Sequence, residues 1–153
     1  MKITTQLKLT VAGLAIFTIG TASWAYLGTR QGELDASVVN KSGIVRGASQ
    51  RLVKLETNGQ PDDALIQTID QLINGLINGD EALRLPKARN ANYLARMQDV
   101  ESDWQQLKAT VAQYRQNPNL KAKLLEDSEA YFELTNDAVF AAEAIAFNRF
   151  KNV

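Results

Sequence analysis

Apolar residues recur along this chain at three-and-four spacing, the period of an amphipathic helix. Ala64, Leu65, Ile69, Leu72, Ile73, Leu76 and Ile77 make one such series, and Leu94, Met97, Val100, Trp104, Leu107 and Val111 a second. Leu124, Leu125, Tyr131, Leu134, Ala138, Val139, Ala142 and Ile145 make a third. Upstream, Leu34, Val38, Val45, Ala48, Leu52 and Leu55 fall on one face at about 100° per residue. β-Branched alternation is absent, so no strands are expected.

Turn clusters separate these series. "NGQPDD" (Asn58 to Asp63) suits a helix end at Asn58-Gly59 and a new N-cap at Asp62 or Asp63. "NGDEALRLPKARN" (Asn78 to Asn90) reads as a longer connection, and "QNPNL" (Gln116 to Leu120) as a short turn with Asn119 as N-cap. The spacing predicts helices over 30–58, 62–78, 91–116 and 120–151. Short connections make neighbours antiparallel, so the expected fold is all-α, an up-down-up-down four-helix bundle.

One segment breaks the amphipathic pattern. From Leu9 to Thr29 runs "LTVAGLAIFTIGTASWAYLGT", uncharged for about 21 residues, the length that crosses a bilayer. Lys2 and Lys8 precede it, and Trp24 and Tyr26 stand near its far end, as basic and interfacial residues do. The expectation is a cytoplasmic stretch over 1–8, a transmembrane helix over 9–29 and an extracytoplasmic bundle over 30–153. That puts the protein in the inner membrane as a single-pass chain, with its bundle in the periplasm. A cleaved signal peptide is the alternative, since "SWA" (Ser23 to Ala25) offers small residues for cleavage. Both readings export the bundle. A fourth helix returning toward the membrane leads to the expectation of an output module beyond Val153: a kinase, chemoreceptor or cyclic-dinucleotide enzyme.

Composition narrows the chemistry. Lys plus Arg equals Asp plus Glu at 17 each among 153 residues, so nothing favours nucleic acid. There is no cysteine and no histidine. That removes the thiol nucleophile, the commonest general base and the commonest transition-metal ligands. The acidic clusters Gly79 to Glu81 and Glu101 to Asp103 lack the oxygen-ligand spacing calcium needs. No enzyme, cofactor or metal site is expected; Trp104 and Tyr114 read as packing residues.

The informative stretch is "VVNKSGIVRGASQRLVKLE", Val38 to Glu56. On the wheel, Val39, Gly43, Arg46, Gly47 and Gln50 lie roughly opposite the apolar stripe. Each mid-helix glycine costs about 1 kcal/mol relative to alanine. Gly43 and Gly47, four apart, give clearance for a second helix backbone. If that helix is the same one in a second copy, two Arg46 guanidiniums meet near the two-fold axis, and a small oxyanion between them would relieve their repulsion. The bland alternative is that Arg46 and Arg51 pair with surface carboxylates. Arg51 lies about 140° from Arg46 and reads as structural, reaching an acid of a neighbouring helix.

"NKSGIVRGASQRL" resembles the periplasmic signature of nitrate/nitrite sensor histidine kinases and, equally, the N-terminal domain of type IV pilus methyl-accepting chemotaxis transducers. Asn40, Gly43, Arg46, Ser49 and Arg51 carry the resemblance; Lys41 matches the kinase version and Gln50 the transducer version. It implies a periplasmic four-helix-bundle sensor of a two-component or chemotaxis system, working as a homodimer. A nitrate or nitrite would sit at the seam on paired Arg46, with backbone near Gly43, and Gly47 and Gln50 alongside. Asn40, Ser49 and Arg51 would support that site. Gly47 and Ala48 replace larger residues of the family, which alters the pocket wall. The rival reading is a membrane-anchored helical adaptor that docks a protein and binds no small ligand.

Overall fold

In the computed structural model the described residues are Ile3 to Lys151; Met1, Lys2, Asn152 and Val153, at the outer edges of the expected segments, lie outside them. Four helices form: α1 (Ile3–Thr57), α2 (Asp63–Asn78), α3 (Ala91–Gln116) and α4 (Lys121–Lys151), with a 3-10 turn at Pro118–Leu120. α4 packs along α1 and α3, while α2 packs along the same two helices from the other side. The result is a four-helix bundle.

The expected transmembrane helix and first bundle helix run together without a break. α1 is one continuous helix of 55 residues, about 82 Å long. The sequence explains the continuity. No proline interrupts it, and Gly28 and Gly32 stand alone, without the left-handed conformation or capping partners that end a helix. Among the described residues this helix alone is long and apolar enough to cross a membrane, and its apolar window is unburied.

The turns close by local chemistry. Gly59, at φ +72°, ends α1: Gln60 N–H reaches Leu55 O at 2.9 Å and Gly59 N–H reaches Glu56 O at 3.0 Å. Asp62 caps α2 by accepting from Leu65 N–H at 2.9 Å, and Asn90 caps α3 by accepting from Tyr93 N–H at 3.0 Å. Asn119 does not cap α4. Asn117, two residues earlier, caps the 3-10 turn that Pro118 starts, accepting from Asn119 N–H at 3.2 Å. In the 79–90 connection Asp80 and Leu85 exchange two backbone bonds of 2.8 Å. Gly79, at φ +86°, leaves no room for a side chain, since a Cβ would lie 2.9 Å from Lys87 N.

The core centres on Trp104 and Tyr131, whose rings sit 5.8 Å apart and tilted by 40°. Leu52, Ile69, Ile73, Leu76, Met97, Leu107 and Leu124 close around them. The packed face of α1 differs from the wheel's apolar stripe. Val45 and Leu52 are buried, but Leu34, Val38, Ala48 and Leu55 are only half-buried. Their company is polar: Asp35, Ser42, Ser49 and Glu56, seven apart, are all buried. Each lies on the heptad seam that Val38, Val45 and Leu52 interleave.

Candidate functional site

Three of the four polar side chains on that seam take a partner from another helix. Glu56 accepts two bonds from Arg115 of α3, at 2.9 and 2.6 Å. These bonds are the main reason the guanidinium holds its proton even more firmly than usual; burial opposes them, and Asp63 adds to them. Ser42 Oγ and Tyr93 Oη lie 3.0 Å apart. Burial pushes the Tyr93 phenol up to about 12, against the opposing pull of the Ser42 hydrogen bond. Ser49 Oγ donates back to Arg46 O at 2.9 Å, tying its hydroxyl to its own helix. Arg149 of α4 pairs with Asp35, which also accepts from Gln31 at 3.1 Å.

Arg46 lies where α1 meets α4, not opposite the core as the wheel places it. Its Nη1–H donates to Asn136 Oδ1 at 2.7 Å, and its guanidinium carbon stands 5.8 Å from the Phe132 ring centre. Both partners are uncharged. Among the described residues Arg46 forms no ion pair. Gln50 follows the same edge, donating from Nε2 to Ser128 O at 3.1 Å and Ser128 Oγ at 3.0 Å. So the structure brings Arg46 and Gln50 together on the α1–α4 edge, with Ser49 turned inward behind them.

Gly43 and Gly47 stand beside this edge on the outer side. Gly47 is exposed and Gly43 half-buried, and a Cβ on either would meet nothing within 4 Å. Within one chain, then, no packing requires glycine at these two positions. Asn40 and Arg51 are exposed on the same outer surface. The expected ion pair from Arg51 to a neighbouring helix is absent among the described residues. Arg51 projects from the outer face, where no acid of another helix reaches it.

Three side chains on α4 belong to this site and were invisible to the single-helix wheel: Ser128, Phe132 and Asn136. One sequence signal was available. Asn136 sits mid-helix, where asparagine is a poor helix former, and its amide serves as a tertiary partner.

A family profile described as PilJ, type IV pili methyl-accepting chemotaxis transducer N-term, matches residues 28–127. The chain belongs to this family. The PilJ match begins at the last two residues of the apolar segment and runs through α2 and α3 to the first turns of α4. It includes the whole Val38 to Glu56 stretch but stops before Ser128, Phe132 and Asn136. Neither the curated proteins nor the solved structures contain a match to the chain. Among the described residues no group of three or more acidic side chains is arranged to hold a metal ion. A transducer N-terminal bundle carried on a helix able to cross a membrane is consistent with a sensor module outside the cytoplasm.

Proposed function

We propose that this PilJ-family domain senses a small anion at a homodimer seam and reports it across the inner membrane through α1 and α4. The observation that carries the reading is Arg46: a half-buried guanidinium whose only side-chain bond among the described residues goes to a neutral amide. Arginine has five N–H donors, so most of its fork is free for an oxyanion. The open clearance over Gly43 and Gly47 supports a second copy of α1 beside it. Paired Arg46 side chains would repel until an anion sits between them. Nitrate and nitrite are the leading ligands, by resemblance of the motif to the sensor kinases.

The contacts of Arg46 supply a route for the signal. A guanidinium turning toward an anion at the seam loosens its grip on Asn136 and Phe132 of α4. α1 enters the membrane, and α4 runs back toward it, so a change in their relative setting is a piston or rotation at the bilayer. The buried small residues Ala138 and Ala142 leave a smooth face on α4 for such a shift. The ligand drives it only by favouring one setting over the other.

The second reading, an adaptor that docks a protein, draws support from Phe140 and Phe147 of α4, both more than half exposed. Thermal unfolding of the full chain in detergent separates the two. Millimolar nitrate or nitrite should raise the melting temperature by mass action, and Arg46→Ala should remove the rise. No rise with nitrate, nitrite, sulfate, phosphate or chloride favours the adaptor.

A further inference from the structure

A cavity of about 300 Å³ opens at the end of the bundle where α1 leaves its apolar segment. It lies between α1, the 86–90 part of the long connection, the start of α3 and the end of α4. We propose that this cavity is a second ligand site, one that takes a short-chain monocarboxylate and bridges α1 to α4.

Charge gives the sign of the ligand. Lys87, Arg89 and Arg149 line the cavity against a single acid, Asp35. Asp35 is already engaged by Arg149 and Gln31. Lys87 and Arg89 form no ion pair among the described residues. Two uncompensated cations therefore face a concave space whose own acid is occupied, and an added anion meets net attraction.

The apolar part of the lining gives the ligand its body. Val38 of α1, Tyr93 of α3 and Ala142 and Ile145 of α4 line the same cavity. An inorganic anion would leave that lining wet. A hydrocarbon tail covers it, and each buried methylene strengthens binding by up to about fourfold. The volume stands at the low end for small-molecule sites, about ten waters' worth, which limits the tail to a few carbons. The site is separate from Arg46, which lies about two turns beyond Val38 along α1 and does not line it. Because one wall is α1 and the other α4, a bound carboxylate ties together the two helices that continue toward the bilayer.

Isothermal titration on the full chain in zwitterionic nanodiscs tests this, with acetate, propionate and butyrate at constant ionic strength. Affinity should climb by up to about fourfold per methylene from acetate to butyrate. Arg89→Gln, at an exposed and unpaired side chain that the fold does not need, should weaken butyrate by about tenfold. Lys54→Gln, at the far end of the bundle, should leave butyrate unchanged, and excess nitrate should not displace it. No heat with any carboxylate at about 10 mM overturns the proposal, and so does an affinity flat with chain length. Binding that appears only with anionic lipid in the disc also overturns it, since the cations then serve headgroups.

Discussion

Glu56 on α1 and Arg115 on α3 lock the end of the bundle farthest from the apolar segment. The carboxylate is 1% exposed at its side chain, and both of its oxygens take an N–H from the same guanidinium. Arg115 also reaches Asp63 at the start of α2 at 2.8 Å, so one side chain ties three helices. A buried carboxylate with no cation is far costlier than the pair is favourable. Arg115→Ala should therefore cost about 3 kcal/mol in denaturant unfolding, and Glu56→Gln clearly less. Equal small losses for both would show that the carboxylate is solvated.

Tyr131 makes the opposite point. Its ring is buried beside Trp104, and its hydroxyl is buried with no partner among the described residues. Burial pushes its phenol well above the usual range, and the nearby acids Asp103 and Asp70 push it the same way. Tyr131→Phe removes an unsatisfied group without opening a void. Urea unfolding should show unchanged stability or a gain of up to about 1 kcal/mol. A loss of that size would mean that the hydroxyl has a partner.

The four helices were readable from apolar period and from turn chemistry at Asn58-Gly59 and Asp62. The packed face of α1 was harder. Asp35, Ser42, Ser49 and Glu56 occupy alternate seam positions, so hydropathy alone drew the stripe through Leu34 and Leu55 instead. Arg46 and Gln50 were picked out, but their neighbours were not. Asn136 and Ser128 stand 90 and 78 residues further on, and no property of α1 reveals which residue of α4 comes opposite. Near Arg30 the composition changes while the helix runs on, so the change of composition marks no break in the backbone.

Asp127 sets a pH signature. Burial raises its carboxyl, but bonds from Lys123 at 2.8 Å and Thr110 at 2.6 Å outweigh that and hold it below the usual carboxylate range. A depressed folded value adds stability that is fully present above the unfolded value of about 3.9. It is lost as pH falls further, through the folded value. Asp127→Asn should thus be less stable than the parent at neutral pH, with the gap closing below about pH 4. A gap independent of pH would remove the ion pair from the account.

Gly47 tests the seam by shape. Its outer side is open within the chain, so Gly47→Leu should leave the helical fold intact by circular dichroism. In the proposed dimer the added side chain meets the second copy. Sedimentation of the full chain in detergent should show weakened dimerisation. An unchanged dimer would place the seam elsewhere.

The paired Arg46 site is most directly tested by the stoichiometry of nitrate binding, titrated calorimetrically into the full chain in detergent. The predicted result is one nitrate per two chains, with all heat lost in Arg46→Ala. One nitrate per chain, or binding that survives Arg46→Ala, would contradict it.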